Sequence, residues 1–123
     1  MNDMRMQRGC TAEELAAQYL QARGLKILAR NLRCKAGELD LVCLDGGVLA
    51  VIEVRQRGSA KFGGALASVT WTKQRKIMRA AQFFLRREKQ WRNLALRFDV
   101  LAIDGLPEGA HRVEWVKDAF RGV

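Results

Sequence analysis

Residues 37–57, GELDLVCLDGGVLAVIEVRQR, predict two antiparallel strands joined by a tight Asp-Gly-Gly turn. Both halves are rich in Leu, Val and Ile, and turn residues separate them. If the two glycines form a two-residue hairpin loop, Asp45 pairs with Val48, and counting outward brings Asp40 opposite Glu53. The two carboxylates then share one face, with their Cβ atoms about 4.5 to 5.5 Å apart, where like charges are destabilising unless a cation lies between them.

A different turn would separate these carboxylates. A three-residue loop without a bulge shifts the strands by one residue and places Asp40 and Glu53 on opposite faces. Even in the predicted register, Glu38 could form an ion pair with Arg55 across the strands, which would leave both carboxylates partly solvated on an exposed sheet face. The residues alone therefore leave open a cation site and an ordinary exposed face.

The other segments predict a single α/β domain over residues 1–123. Residues 1–8 are expected to form a flexible N-terminus, and residues 58–71, which contain three glycines, a mobile connector whose last third is helical. Thr11 and Glu14 form a capping box for the first helix, and Gly24 ends it. The predicted helices are 12–23 and 72–92, and the predicted strands are 26–33, 39–44, 48–56, 97–103 and 112–116. This αβββαβ order, with a small ββ or βα addition, indicates a mixed central sheet flanked by helices.

The charge balance favours a polyanionic partner. Twenty-two Lys and Arg against thirteen Asp and Glu give a net charge of +9, which is typical of nucleic-acid-binding proteins and also of proteins that are merely basic. The apolar run at 48–52 is far shorter than the roughly 20 residues that span a bilayer, so no transmembrane segment is expected. The first ten residues lack the apolar region of a secretory signal, so we expect a cytoplasmic protein.

The acidic pair suggests a particular chemistry. Side chains alternate along a strand, so Glu53 and Arg55 share a face, and Asp40 joins them in the predicted register. Hard carboxylate oxygens suit Mg²⁺ or Mn²⁺. Such an ion lowers the pKa of a bound water and neutralises charge on a phosphate, so phosphodiester hydrolysis is the natural reaction. Glu13, at the apolar margin of the first helix, is the acidic residue there without a capping role.

The second helix is basic where it begins. Lys73, Arg75 and Lys76 replace the acidic residues that usually occupy a first turn, so phosphate should bind there. Lys73 projects toward the sheet, whereas Arg75 and Arg79 project outward and either contact phosphates or form a solvated face. A basic helix also leaves peripheral membrane association open. No base-reading motif is present, so recognition of backbone and shape is expected, and Trp71 is either a base-stacking side chain or an edge aromatic.

Several of these motifs together resemble the YraN family of uncharacterised bacterial proteins. They are GELDL, the thirteen-residue step from Asp40 to Glu53 within EVRQR, Lys73, RFDV, and the flanking Gly9-x-x-x-Glu13 and VEWVKDAF. They occur in the expected order over nearly the whole chain. That family belongs to the restriction-endonuclease-like PD-(D/E)xK superfamily and is similar to archaeal Holliday junction resolvases. The resemblance implies a restriction-endonuclease-like αβββαβ core, Mg²⁺ or Mn²⁺ as cofactor, DNA as partner and, because related resolvases are dimers, a homodimer.

The resemblance also implies residue roles. Asp40 and Glu53 match the metal-binding carboxylates, Glu13 matches the acidic residue that completes the metal site, and Arg55 stands where the motif lysine normally does. Arginine stays protonated, so it cannot act as a base, yet its planar fork can grip a phosphate. The predicted catalytic residues are Asp40, Glu53, Arg55 and Glu13, and the predicted nucleic-acid-binding residues are Lys73, Arg75, Lys76, Arg79 and Arg57.

Two functions remain open at this point. One is a metal-dependent endonuclease that hydrolyses phosphodiester bonds, in branched or damaged DNA. The other is a nucleic-acid-binding module that retains the nuclease fold but is catalytically weak or inactive, because arginine replaces the motif lysine.

Overall fold

A computed structural model describes residues 11–57, 66–105 and 111–121 of the chain. The predicted flexible N-terminus and most of the predicted connector lie outside these residues. Within them the chain forms two α-helices, two short 3₁₀ turns and five strands. Their bounds are α1 Ala12–Ala22, β1 Lys26–Cys34, β2 Gly37–Asp45, β3 Val48–Arg57, a 3₁₀ turn Leu66–Ser68, α2 Trp71–Arg87, a 3₁₀ turn Lys89–Trp91, β4 Ala95–Gly105 and β5 His111–Phe120.

The strands form one mixed sheet in the order β1-β2-β3-β4-β5. β1, β2 and β3 are antiparallel neighbours, β4 runs parallel to β3, and β5 returns antiparallel to β4. The parallel β3–β4 pair requires a crossover, and α2 lies within that connection. The expected αβββαβ order and the mixed sheet flanked by helices are therefore confirmed.

The two helices cover opposite faces of the sheet. Ala16, Ala17 and Leu20 of α1 pack with one set of strand residues, and Ile77 and Phe84 of α2 pack with the other. β3 contributes to both cores, since Ile52 lies beneath α1 and Val51 beneath α2. Because β3 is buried on both faces, a carboxylate on this strand lies in a largely apolar setting. None of the helices among the described residues is both long and apolar enough to cross a membrane.

The helix ends follow the capping signals only in part. Thr11 Oγ1 accepts a hydrogen bond from the Glu14 backbone N–H at 3.1 Å, and Gly24 adopts φ +92° after α1, as expected. The second helix begins at Trp71, where Thr70 caps it, and stops at Arg87 instead of the expected residue 92. Glu88, with φ −106° and ψ 72°, breaks the helix, and the 3₁₀ turn that follows redirects the chain so that Ala95 can begin β4 beside Val48.

The RFDV segment of β4 has a structural role. Asp99 is fully buried and accepts hydrogen bonds from Arg97 Nε at 2.8 Å, from Trp115 Nε1 at 3.0 Å and from the backbone N–H of Asp118 at 2.9 Å. Asp118 has φ +53° and lies where the pairing of β4 with β5 shifts register. The buried carboxylate therefore holds a bulge that extends β5 to Phe120, beyond the predicted end at residue 116.

Candidate active site

The hairpin has the two-residue loop on which the predicted geometry depends. Asp45 pairs with Val48, Gly46 adopts φ +61° in the turn, and the pairing continues to Leu41 opposite Ile52. Asp40 and Glu53 occupy the next position on each strand. There the backbone ladder gives way to a side-chain contact, in which Asp40 Oδ2 accepts a hydrogen bond from the backbone N–H of Val54 at 2.8 Å. The one-residue slip that would separate the carboxylates does not occur.

The regular alternation of side chains breaks at Asp40. Leu39 packs in the core beneath α2, whereas Leu41, two residues later, packs in the core beneath α1. In the adjacent strand, Asn31 has φ +49° between flanking positions that pair with Leu41 and Leu39. This irregularity places Asp40 where side chains from both faces of the sheet can reach it.

Glu53 lies at the α2 side of this point and is almost fully buried, with 3% of its surface exposed. Its Oε2 lies 3.7 Å from Arg55 Nη1 and 3.8 Å from Lys73 Nζ, and both cationic side chains are about two-fifths exposed. Burial, followed by the charge of Asp40 and a hydrogen bond with its carboxyl group, raises the pKa of Glu53 to about 8, against the lowering effect of Lys73 and Arg55. The two nearby cations therefore only partly offset the rise in the pKa of Glu53 that burial and the Asp40 carboxyl group cause.

Glu13 approaches Asp40 from the α1 side. Burial raises the pKa of Glu13, and the charge of Asp40, a hydrogen bond with its carboxyl group and the charge of Glu38 act in the same direction. With its amide nitrogen oriented toward Glu13, Asn31 donates to Oε2 at 2.6 Å and to Oε1 at 3.0 Å. Asp40 is thus the meeting point of one acidic residue from α1 and one from β3.

The alternative ion pair between Glu38 and Arg55 is not the one formed. Glu38 Oε1 lies 3.8 Å from Arg33 Nε, and Arg55 lies against Glu53 instead. The alternative in which Glu38 forms an ion pair with Arg55 across the strands is therefore wrong. The break in alternation at Asp40 explains it, because residues on the two sides of Asp40 do not follow a single period of two.

The donor set is consistent with a hard divalent cation. Within residues 11–57, 66–105 and 111–121, no three acidic, His or Cys side chains are arranged to hold a metal ion. Mg²⁺, however, is commonly bound by one or two carboxylates, with water and substrate phosphate completing its shell. Asp40 and Glu53 meet this requirement, because they converge in a buried setting that disfavours their joint ionisation. Glu13 lies against Asp40 and stays a predicted third participant.

The predicted basic residues divide into two groups. Lys73 reaches Glu53, as its predicted direction required. Arg75, Lys76 and Arg79 are exposed on α2, and the structure gives none of them a contact with Asp40 or Glu53. Arg57 ends β3, and its side chain lies outside the described part of the chain.

Asn31 is the participant that sequence reasoning missed. Asparagine is disfavoured inside strands and is among the few residues that readily adopt positive φ, so its place within the predicted strand 26–33 was an available signal. The second unanticipated group, the backbone N–H of Val54, carries no sequence signal, because any non-proline residue supplies one.

Comparison with known proteins gives one consistent family assignment. The family model of UPF0102, described as an uncharacterised protein family, matches residues 12–103. A UPF0102 protein of Pseudomonas syringae is 47% identical over 116 residues, which cover 94% of each chain. A UPF0102 protein of Pseudomonas putida is 48% identical over 112 residues, covering 91% of this chain and 90% of that protein. The resemblance drawn from the motifs is confirmed, and the chain belongs to the UPF0102 (YraN) family.

Proposed function

We propose that this protein is a metal-dependent endonuclease that binds DNA and hydrolyses phosphodiester bonds in branched or damaged DNA. One observation carries the proposal: Asp40 and Glu53 meet in a buried position beside Lys73 and Arg55, so that two acidic groups and two basic groups converge at one point. Structural carboxylates are usually paired one to one with cations or exposed to water. A buried carboxylate such as Glu53, whose pKa is raised and which lies beside a second carboxylate, is more typical of a functional site.

Asp40 and Glu53 would hold Mg²⁺ or Mn²⁺. When bound, such an ion lowers the pKa of water and neutralises the charge that develops on the phosphate. The hydrogen bond from the Val54 N–H fixes the Asp40 carboxylate, so this ligand is oriented before any ion arrives. Glu13 supports the site through Asp40, and Asn31 in turn orients Glu13.

The two cations would hold the scissile phosphate. Arg55 donates several N–H groups in a fixed fork and stays charged, so it stabilises negative charge but cannot remove a proton from water. Proton acceptance therefore falls to a carboxylate. Glu13 is partly exposed, and burial beside Asp40 raises its pKa, so it accepts a proton more readily than an ordinary glutamate does. Lys73 lies on the first turn of α2, where the helix dipole adds to its attraction for phosphate.

The position of Arg55 also supports a second function. If a lysine at this position is needed for turnover, the chain would bind nucleic acid through the same fold and cleave it weakly or not at all. Divalent-ion binding would be retained in either case, so binding and cleavage have to be measured separately.

Cleavage of a panel of labelled DNAs with Mg²⁺ or Mn²⁺ tests the proposal. The panel contains single-stranded, duplex, flap and four-way-junction DNA, and it compares the wild type with Asp40→Asn and Glu53→Gln. We expect each substitution to reduce cleavage at least about 100-fold, since each removes a ligand of the proposed ion. Glu14→Gln, an exposed change on α1, is the matched control and should cleave like the wild type. Equal cutting by wild type and both site variants would refute the catalytic role.

The proposal extends to assembly and location. A cytoplasmic homodimer would present two copies of the site and could cut two strands of one branched substrate. Light scattering coupled to gel filtration, with and without four-way-junction DNA, measures the stoichiometry. A monomer under both conditions would refute the proposed dimer but would not bear on the proposed active site.

A further inference from the structure

The outer face of α2 forms one side of a groove that the proposed cleavage reaction does not use. The groove has a volume of about 730 Å³ and lies between this helix and the residues of β4 that follow the crossover. We call it the Trp71 groove. Its lining includes Trp71, Arg75, Met78, Arg79, Leu96 and Arg121.

Trp71 is exposed to an unusual extent for an indole. Some 67% of its surface is accessible, whereas Trp91 and Trp115 are partly buried against the two cores. Leu96, on the other side of the groove, is 38% exposed. Tryptophan carries a large apolar surface whose burial is strongly favourable, so adjacent exposed apolar side chains in a concave setting mark a binding surface.

The charge of the groove indicates what kind of molecule would cover it. Arg75 and Arg79 line it, and the Arg75 guanidinium carbon lies 4.8 Å from the centroid of the Trp71 ring. Arg121 also lines it, and its guanidinium is held by Asp118. No acidic side chain is among the described lining residues. The occupant should therefore combine negative charge with flat apolar surfaces.

We propose that the Trp71 groove binds an unpaired segment of a nucleic-acid strand, with one base stacked on Trp71 and its phosphates on Arg75 and Arg79. Aromatic platforms interleaved with basic side chains are the usual means of holding single strands, because every base offers a face for stacking. In a duplex the base faces are covered by their neighbours, so a duplex could contact the arginines but not the indole. The groove extends along α2 from Trp71 to Gln82, about 16 Å at 1.5 Å per residue, enough for several stacked nucleotides.

The groove begins on the helical turn that also carries Lys73 of the candidate active site. Trp71 and Lys73 lie on the first turn of α2 and project to opposite sides, Lys73 toward Glu53 and Trp71 into the groove. A strand that leaves the Trp71 end of the groove would therefore pass around the N-terminus of α2 to reach Lys73 and the carboxylates. This inference rests on the proposed nucleic-acid binding, and it specifies the substrate as DNA with an unpaired strand beside the cut, such as a flap or a splayed junction.

Binding without divalent ions tests the groove apart from cleavage. Fluorescence anisotropy in EDTA would compare a labelled oligothymidylate with a blunt duplex of equal length. Trp71→Ala should weaken single-strand binding about 5- to 150-fold, the range for loss of one stacked base, and should change duplex binding less than about threefold. Trp71→Phe keeps a stacking ring and should restore most of the affinity.

Phe83 provides a matched control on the same helix. It is 36% exposed and has its own arginine, with the Arg86 guanidinium carbon 5.6 Å from its ring centroid, but it does not line the groove. Phe83→Ala should leave single-strand binding within about twofold of the wild type, because it removes an aromatic–arginine pair from outside the stacking site.

Each other outcome overturns a defined part of the inference. Equal weakening of single-strand and duplex binding by Trp71→Ala would make the groove a general phosphate-binding surface. An unchanged affinity for both DNAs, with loss of self-association in light scattering, would make the groove an interface between two copies of the chain. If the wild type binds neither DNA, the nucleic-acid part of the proposed function fails too, whereas normal binding without cleavage refutes only the catalysis.

Discussion

Glu53→Gln should change the pH dependence of stability in a direction that the site geometry fixes. In the unfolded chain the Glu53 carboxyl has an ordinary pKa of 4.5, whereas in the folded protein burial and Asp40 raise the pKa to about 8. Between these values the folded state holds a proton that the unfolded state releases, so the free energy of unfolding falls as pH rises. Each unit of pH in this window lowers the free energy of unfolding by at most about 1.4 kcal/mol, and the two units from about pH 5.5 to 7.5 lower it by about 3 kcal/mol.

The variant lacks this titration, since glutamine is neutral at every pH of the experiment. Its stability relative to the wild type should therefore increase from about pH 5.5 to 7.5, by up to about 3 kcal/mol or about 10 °C in Tm. Thermal denaturation followed by circular dichroism in EDTA at several pH values measures the difference. Glu14→Gln, exposed on α1, should show the same pH profile as the wild type.

Adding Mg²⁺ separates a metal site from a merely strained pair of carboxylates. Wild type should gain stability with Mg²⁺ concentration, by about 2.7 kcal/mol at 100 times the Kd, and the gain should be larger at pH 8 than at pH 6 because protons compete for the same oxygens. Glu53→Gln should gain much less. If the difference in the free energy of unfolding between variant and wild type stays constant with pH, the raised pKa of Glu53 is refuted. If Mg²⁺ stabilises both proteins equally, Glu53 is not a ligand of the ion.

Three further substitutions test other parts of the structure. Asp99→Asn should lower the free energy of unfolding by about 3 kcal/mol in urea denaturation, because it leaves the Arg97 guanidinium, 16% exposed, without its buried partner. Asp118→Asn, on the exposed side of the same network, should lower the free energy of unfolding less. Gly46→Val should cost about 1 to 2 kcal/mol in the same assay, since a β-branched residue is strained at φ +61°, whereas Gly47→Ala adds a Cβ to open space and should change little. Arg55→Lys should raise the rate of DNA cleavage about tenfold or more if the motif lysine assists proton transfer, and a fall in rate would show that the arginine fork itself is required.

The fold was predictable where local chemistry and periodicity agree. The two-glycine loop determines the register of the β2–β3 hairpin, and the Thr11 cap and Gly24 determine both ends of α1. The end of α2 was not predictable, since neither Gly nor Pro occurs near Glu88 and the break depends on where β4 has to begin. The full length of β5 was likewise hidden, because the bulge that extends it depends on a hydrogen bond to Asp99, a residue distant in sequence.

The candidate site was predictable as a pair but not as a three-dimensional cluster. Counting residues from the turn predicted that Asp40 lies opposite Glu53, and helical spacing predicted that Lys73 projects toward the sheet. Strict alternation, however, would keep a residue of α1 and a residue facing α2 on opposite faces of the sheet. The local break at Asn31 and Asp40 removes that separation, and it is a tertiary feature with only a weak trace in the sequence.

The break in alternation also explains why the acidic cluster is informative about function. A regular strand at Asp40 would bury an apolar residue and keep the sheet continuous, at no electrostatic cost. The chain instead gives up one ladder position, adopts positive φ at Asn31 and brings Glu13 and Glu53 to the same carboxylate. Each of these features destabilises the isolated fold, and a bound divalent cation would reverse the electrostatic part of that cost. We therefore expect the ion to stabilise the fold and complete the active site through the same contacts.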